Sequence, residues 1–246
     1  MINNYQYWEK SIPFSFFDES VTYEQKRNLR YSLTDIPALF DFDIYRGKRV
    51  LEIGSGAGID SVELSKRGAE VVAIDVTDRG IFTTKEMAKE AGVSVKIVKC
   101  EGDRLSFIDE SFDAVYCYGV LHHIREVNIV VDEIKRVLKF GGSFIGMVYN
   151  KNSLLYAYSI LFLHRNENLS DDQLAAKYSE RNIGCPYTKV YTELEVHELL
   201  KGFSKIEISV TYDVIDTLKS RKVKLGIPNL KLGWHIIFKC KRGRNE

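Results

Sequence analysis

The sequence predicts an α/β fold in which helices cover both faces of a doubly wound, mostly parallel sheet. Between Arg49 and Tyr149, short apolar runs alternate with longer helical runs, and glycines mark most of the junctions. Strands that alternate with helices are joined by crossover connections, which make neighbouring strands parallel. The chain has 246 residues, which is enough for one large domain of this kind and short for two.

The elements of this region can be placed in order. Five apolar runs are predicted strands: RVLEI (49–53), EVVAID (70–75), SVKIVK (94–99), SFDAVYCYG (111–119) and SFIGMVY (143–149). Helices are predicted between them over 58–68, 81–92 and 127–142. The last of these has apolar residues at helical spacing, and we expect Gly141 and Gly142 to stop it.

The two ends of the chain follow other patterns. Residues 1–47 are rich in aromatic side chains, with Phe14, Phe16 and Phe17 among them. Residues 150–190 are predicted to form two helices, the second opened by a Ser170–Gln173 capping box. After them we expect a helix over 192–203, strands over 205–214 and 233–241, and a basic loop from Lys219 to Lys231 between the strands.

The composition argues against several classes of protein. Lys and Arg number 35 against 34 Asp and Glu, so no overall charge attracts nucleic acid. The four cysteines are scattered without a C-x-x-C pair, which indicates reduced thiols and no metal site. The N-terminus lacks a signal-peptide pattern, and the longest apolar run, Ser153 to Leu163, is too short to span a bilayer. We therefore expect a cytoplasmic protein with no transmembrane segment and no metal.

The stretch VLEIGSGAGID, residues 50–60, is a strand that runs into a glycine-rich turn. Its G-x-G-x-G spacing departs from the dinucleotide fingerprint, whose third glycine would replace Ile59, and it lacks the G-K-S/T of a phosphate-binding loop. Asp75 ends the next strand about 20 residues after Gly54, where an acid can accept both hydroxyls of a ribose. A ribose-binding acid without a pyrophosphate cradle points to a nucleoside cofactor that carries no phosphate, and S-adenosylmethionine is the obvious candidate.

From about Lys48 to Tyr149 the chain resembles the class I S-adenosylmethionine-dependent methyltransferases. Four stretches carry the resemblance: VLEIGSGAGID, VVAIDVT, CEGDRLSFIDESFDAVYCYGVLHHI and EIKRVLKFGGSFIGMVY. The resemblance implies a Rossmann-like, seven-stranded sheet with an antiparallel C-terminal strand. It also implies a single methyltransferase domain over 1–246, in which 1–47 forms an aromatic lid or cap and 150–190 a helical insertion over the substrate.

The resemblance further implies a set of cofactor-binding residues. Gly54, Ser55 and Gly56 would pack against the methionine portion of the cofactor, which Glu52 would support. Asp75 would hold the ribose and Asp103 the adenine, while Tyr118 and Gly119 would lie beside the methyl group. The full set is Glu52, Gly54, Ser55, Gly56, Gly58, Asp75, Val76, Gly102, Asp103, Arg104, Tyr118 and Gly119.

The acceptor side is less defined. His122 and His123 are the candidate catalytic pair, with a structural, hydrogen-bonding histidine as the alternative interpretation. Aromatic residues in the N-terminal segment and the insertion could close over a small molecule or could simply form a packing core. The candidate substrate residues are Tyr7, Trp8, Tyr149, Asn150 and Tyr156.

We expect an S-adenosylmethionine-dependent methyltransferase that acts on an oxygen, nitrogen or carbon atom of a small molecule such as a secondary metabolite, a sugar or a quinone-like compound. The N/D-P-P-Y/F motif is absent after the fourth strand, which argues against DNA. The basic loop keeps an RNA acceptor open, and peptide or lipid-linked acceptors also stay open. An NAD-dependent oxidoreductase and a non-catalytic cofactor-binding module are the rival classes. The run from Ser153 to Leu163 could serve as lid, membrane contact or dimer interface, and the oligomeric state is open.

Overall fold

A computed structural model describes residues 4–11, 21–32, 34–179, 185–211 and 232–243. The predicted basic loop from Lys219 to Lys231 and the aromatic residues Phe14, Phe16 and Phe17 lie outside the described residues.

The described part of the chain contains a seven-stranded sheet with the order β3-β2-β1-β4-β5-β7-β6. The first five strands are parallel, and β7 runs against both of its neighbours. This confirms the predicted doubly wound sheet with an antiparallel C-terminal strand. The strands are β1 (Arg49–Ile53), β2 (Glu70–Asp75), β3 (Val95–Lys99), β4 (Phe112–Tyr118), β5 (Leu138–Tyr149), β6 (Phe203–Thr211) and β7 (His235–Arg242).

Helices cover both faces of the sheet. They are α1 (Asn4–Ser11), α2 (Tyr23–Arg30), α3 (Ile36–Leu39), α4 (Ile59–Lys66), α5 (Asp78–Glu90), α6 (Val127–Val137), α7 (Asp171–Tyr178) and α8 (Glu193–Leu199). Short 3₁₀ turns occur at Phe42–Tyr45 and Leu121–His123, and a π-helix at Leu155–Phe162. Side chains alternate between faces along each strand, so Leu51 packs with α6 and α8 whereas Val50 packs with α3 and α4.

The predicted third helix is five residues too long, because α6 ends at Val137 instead of Gly142. Leu138 is already extended, is completely buried, and pairs with Phe112 of β4. Gly141, with φ +75°, and Gly142, whose added Cβ would lie 2.8 Å from the Lys139 carbonyl oxygen, belong to an irregular part of β5. These glycines therefore shape a bulge inside the strand and do not stop the helix.

The insertion contains the two predicted helices, but the first is a π-helix. Its inner side chains, Tyr156 and Ile160, pack with Leu174 and Ala175 of α7 in a small core of their own. Its outer side leaves Tyr158 and Phe162 half exposed, with their rings stacked 5.6 Å apart. Within the described ranges, no helix combines the length and the apolar character needed to cross a bilayer.

Helix α2 is held against α4 by two ion pairs. Arg27 Nε lies 2.8 Å from a carboxylate oxygen of Glu63, and Arg30 Nη2 lies 2.7 Å from Asp60. Both acids are 5% exposed or less, and Tyr23 also donates to Glu63. The two arginines are three positions apart on α2, and the two acids are three positions apart on α4. The two ion pairs therefore hold α2 at points about one helical turn apart. This part of the predicted N-terminal lid is a packed layer of the fold.

Candidate functional site

The three glycines of the turn after β1 have different surroundings. A Cβ added at Gly54 would lie 2.4 Å from a methyl carbon of Val120, and one at Gly58 would lie 2.6 Å from the Thr84 Cα. A Cβ at Gly56 would meet nothing within 4 Å, and Gly56 has φ +52°. Two of the glycines thus allow close packing of the protein against itself. Gly56 presents bare backbone to open space, as a cradle for a ligand requires.

Asp75 joins this turn to the end of β2. Its Oδ2 accepts from the Gly56 amide at 2.9 Å, and its Oδ1 accepts from the Thr77 amide at 2.9 Å and the Thr77 hydroxyl at 2.6 Å. A carboxylate has about four lone-pair sites, so these three bonds leave about one acceptor site for a hydroxyl group. The next residue, Val76, is partly buried. An added Cβ at Gly80 would lie 2.5 Å from the Asp75 carboxyl carbon, so α5 holds the side chain at the edge of the sheet.

Two further predicted residues form the inner wall of the turn. Glu52 is 3% exposed and accepts a hydrogen bond from the Ser61 hydroxyl in α4. Burial, and then the negative charge of Asp60, raise the pKa of Glu52 well above its ordinary value, so its neutral form is favoured. The Ser55 hydroxyl lies 2.9 Å from that of Thr84. Both side chains are therefore hydrogen-bonded within the protein, Glu52 from the end of β1 and Ser55 from the turn itself.

The predicted adenine-binding residues lie in the loop after β3. Asp103 and Arg104 are exposed, whereas Gly102 packs against side chains of β1 and α6. The loop is tied to α6 because Glu133 accepts from the Leu105 amide at 2.8 Å and Arg136 donates to the Leu105 carbonyl at 2.8 Å. This position beside β1 and β2 is compatible with the expected role, which stays a prediction.

The two histidines after β4 are both buried. His122 is fully enclosed, with its ring 3.8 Å from that of Tyr149 and 4.1 Å from that of His123. Burial, with smaller contributions from His123 and His235, holds the pKa of His122 well below its ordinary value, so its imidazole is neutral. His123 Nδ1 lies 3.2 Å from the Tyr187 carbonyl oxygen and 3.2 Å from the Thr188 hydroxyl. The structure therefore packs the His122 ring among aromatic side chains and gives the His123 ring hydrogen-bonding partners as well, and their catalytic role stays a prediction.

The predicted substrate residues fall into two groups. The ring of Trp8 in α1 packs 4.6 Å from His123 and 4.9 Å from Tyr7, and Tyr149 lies on the other side of the histidines. Asn150 instead donates to the Gly233 carbonyl and accepts from the Asn152 amide, and Tyr156 is buried in the core of the insertion. The structure brings the first three residues together around the histidines and uses the other two to hold the chain.

A buried polar cluster beside the turn was missed by the sequence analysis. Asp60 accepts from Arg30, from Tyr31 at 2.8 Å and from Tyr116 at 3.0 Å. Arg30 lies with its guanidinium carbon 5.0 Å from the centre of the Tyr118 ring. The signal available in the sequence was the matched spacing of Arg27 and Arg30 with Asp60 and Glu63, which needs the folded structure to become meaningful.

His235 was also missed. It opens β7 opposite Tyr149, and its Nδ1 lies 3.2 Å from the Tyr118 hydroxyl. Burial, and then the charge of Arg30, lower the pKa of His235 to about 3. In the sequence it was only one polar residue at the start of an apolar strand. No group of three or more potential metal-ligating side chains occurs in the part of the chain that the structure describes.

A doubly wound sheet with a glycine turn after β1 and an acid that closes β2 is the arrangement with which such folds bind nucleotide-like cofactors at the carboxyl ends of their strands. Residues 51–146 match a protein family described as a methyltransferase domain. The resemblance to the class I S-adenosylmethionine-dependent methyltransferases seen in the sequence is thereby confirmed, and S-adenosylmethionine is the cofactor of this class. The turn fits it, because Gly56 leaves space for a ligand and Asp75 retains an acceptor site for a ribose hydroxyl.

One curated relative and two solved structures are similar to this chain, and the two structures show the fold. The ubiquinone biosynthesis O-methyltransferase of Hahella chejuensis is 34% identical over 116 residues, which cover 47% of this chain and 49% of that protein. The chain thus spans about half the length of the curated relatives it matches. An S-adenosylmethionine-dependent methyltransferase from Methanosarcina mazei has the same fold, with a TM-score of 0.63 and 20% identity over 85% of this chain and 98% of its own. One from Aquifex aeolicus has a TM-score of 0.58 and 20% identity over 87% and 92%.

Proposed function

We propose that this chain transfers the methyl group of S-adenosylmethionine to an oxygen atom of a small, flat acceptor, such as a hydroxylated precursor of a quinone. The observation that carries the proposal is the aromatic wall beside the glycine turn. Tyr118, Tyr149 and His235 place their rings at the edge of the sheet where β4 and β5 end. Aromatic faces favour flat, ring-shaped ligands. Relatives at 30–34% identity are named ubiquinone biosynthesis O-methyltransferases, which favours a quinone-like acceptor.

The residues of the turn would hold the cofactor in this proposal. The bare backbone at Gly56 would lie against the methionine portion, and the remaining acceptor site of Asp75 would receive a ribose hydroxyl. Bound S-adenosylmethionine supplies a methyl group already activated by the positive charge on sulfur. The chain must then hold the acceptor oxygen in line with that group, since orientation alone can contribute about 7–11 kcal/mol to lowering the barrier.

The proposal is tested in two steps. Isothermal titration calorimetry with S-adenosylhomocysteine and with NAD distinguishes a methyltransferase from an oxidoreductase, and we expect binding of the first ligand only. Transfer of a labelled methyl group from S-adenosylmethionine is then measured with a panel of catechols and phenols, and with the matching anilines. We expect transfer to hydroxyl-bearing rings. Binding of NAD, or methylation of the anilines alone, would contradict the proposal.

A further inference from the structure

Tyr118 and His235 form a hydrogen-bonded pair at the carboxyl edge of the sheet. The Tyr118 hydroxyl and His235 Nδ1 are 3.2 Å apart, although the residues are 117 positions apart in the chain. Tyr118 ends β4 beside Met147, and His235 opens β7 opposite Tyr149. Partners across a register point to the same face of a sheet. The hydroxyl of Tyr118 therefore reaches across the end of β5 to the imidazole.

One member of this pair, Tyr118, lies on the strand next to the glycine turn. Glu52 of β1 is in register with Tyr116 of β4, so the turn that begins at Gly54 and the end of β4 at Tyr118 are at the same edge of the sheet. Tyr118 is partly exposed, whereas Tyr116 below it is buried. Among the rings of this wall, Tyr118 is thus the one that stands beside the proposed cofactor cradle.

A fixed positive charge lies over the pair. The Arg30 guanidinium carbon is 5.0 Å from the centre of the Tyr118 ring, and Asp60 holds the guanidinium from the other side. Arg30 also contributes to the lowered pKa of His235, so the imidazole is neutral around pH 7. A neutral imidazole can accept a proton, and a nearby cation stabilises negative charge that develops on an oxygen.

The histidines predicted from the sequence are less suitable for this task. His122 has no exposed surface, and His123 Nδ1 lies within 3.2 Å of both the Tyr187 carbonyl and the Thr188 hydroxyl. His235 is partly exposed and is hydrogen-bonded to a residue at the end of β4. The geometry therefore favours His235 over the histidines that follow β4.

We propose that Tyr118 receives the hydroxyl group of the acceptor and relays its proton to His235. The acceptor O–H bond breaks and its proton passes to the Tyr118 oxygen, while the Tyr118 proton forms an N–H bond at His235 Nδ1. The electron pair stays on the acceptor oxygen, which would use it to bond the methyl group that bound S-adenosylmethionine supplies, while the electron pair of the broken sulfur–methyl bond would remain on sulfur and neutralise its charge. Tyr118 is the catalytic residue, and His235 is a positioning residue that acts through it. This inference rests on the proposed function.

The weak basicity of His235 limits how far the relay advances before methyl transfer. Because the imidazole disfavours a proton in this setting, it accepts one only as the acceptor oxygen forms its new bond. Positioned bases contribute about 10²–10⁴-fold to a rate, and we expect the lower end of that range. Loss of either member should therefore reduce turnover by about 100-fold.

The test measures binding of 4-nitrocatechol in the presence of S-adenosylhomocysteine, and methyl transfer to the same phenol from S-adenosylmethionine. The variants are Tyr118→Phe and His235→Gln, which keep the approximate size of each side chain and remove the relay. His197→Gln is the matched control, because His197 is exposed and far from the turn in sequence. Wild type and the control should bind and methylate the probe. Each relay variant should lower kcat for this probe by about 100-fold.

The outcomes distinguish a failure of the proposed relay from a failure of the proposed function. If S-adenosylhomocysteine fails to bind wild type, the proposed function is wrong and the relay falls with it. If it binds but wild type does not bind or methylate 4-nitrocatechol, or if both relay variants methylate it as fast as wild type does, only the relay is overturned. For any phenol that wild type methylates, the relay variants should lower kcat with little change in KM for S-adenosylmethionine. A change in that KM alone would contradict a proton relay.

Discussion

The backbone amide of Gly56 donates a hydrogen bond to Asp75, 2.9 Å away, and so links the turn after β1 to the last residue of β2. The two groups expected to touch the methionine and ribose portions of the cofactor are thus in direct contact. A substitution at either residue should therefore alter the position of the other, so this pair is the first place to test cofactor binding.

Replacing Asp75 with Ala should weaken S-adenosylhomocysteine binding tenfold or more. A carboxylate that accepts from hydroxyl groups forms charge-assisted hydrogen bonds, worth about 1.5–3 kcal/mol each, and about 1.4 kcal/mol is a factor of ten. Calorimetry measures the change, with Asp43→Ala as a control because that carboxylate is 72% exposed. An unchanged dissociation constant for Asp75→Ala would remove the ribose assignment.

Replacing Gly56 with Val should abolish cofactor binding while leaving the chain folded. Gly92 is a matched control, since it also has a positive φ, +68°, and open space around an added Cβ. Both substitutions should cost about 1–2 kcal/mol of backbone strain, visible as similar losses in thermal unfolding. Only Gly56→Val should lose S-adenosylhomocysteine binding. Equal affinity in the two variants would mean that the open space at Gly56 is not ligand space.

Replacing Glu52 with Gln should change how stability depends on pH. The pKa of Glu52 is raised in the folded state, so the folded chain keeps this proton at pH values where the unfolded chain has lost it. Its stabilising contribution is therefore complete below the unfolded pKa of about 4.5. It is lost as pH rises towards the folded pKa, by about 1.4 kcal/mol per pH unit.

Glu52→Gln should remove this loss. Urea unfolding at a series of pH values from 4.5 to 8 should show that the free energy of unfolding of the variant increases relative to that of wild type as pH rises. A constant difference between the two curves would indicate that Glu52 is ionised in the folded protein. Ser61→Ala is the companion variant, because it removes the partner of the carboxyl group and leaves the titrating group in place.

Replacing Glu63 with Ala should destabilise the fold by about 3 kcal/mol. Removing one partner of a buried ion pair leaves charged groups without their counter-ion, and here Arg27, Arg67 and the Tyr23 hydroxyl would all lose a partner. The control is Glu198→Ala, whose carboxylate is 74% exposed and pairs with Lys201. Exposed pairs contribute about 0–1 kcal/mol. Comparable effects in chemical unfolding would show that the charges between α2 and α4 do not anchor the helix.

Hydrogen exchange rates should differ between α1 and α2. Helix α1 contacts the fold through side chains such as Tyr5, which donates to Asp78, and Trp8, which packs on His123. Helix α2 is held by buried acids along its length. We expect α2 to exchange slowly with and without S-adenosylhomocysteine, and α1 to gain protection only with ligand. Slow exchange of α1 in both states would refute the predicted lid.

Much of the central sheet could be predicted because its signals are local. The alternation of apolar strands and helices, and the glycine turn with its acid, each lie within a few residues. The junction at Leu138 was placed wrongly because paired glycines usually end a helix. Here the pairing of Leu138 with Phe112, a long-range contact, ends the helix earlier.

The acceptor site was harder to predict from the sequence, because it too depends on long-range contacts. Tyr118 and His235 meet only because β7 lies two strands away in the sheet from β4. Arg30 reaches Tyr118 only because Asp60 and Glu63 hold α2 in place. The first relationship leaves no pattern in the sequence, and the second leaves only a matched spacing of arginines and acids that becomes meaningful in the folded chain.

The reversed direction of β7 has a consequence for how such an enzyme can diversify. Five parallel strands offer only their final residues to the crevice, but β7 offers its first, His235. Both His235 and Arg30 lie outside residues 51–146, the stretch that matches the family. Substitutions outside residues 51–146, in natural divergence or in a directed-evolution library, can therefore change the acceptor site without changing the glycine turn and Asp75, which are expected to bind the cofactor.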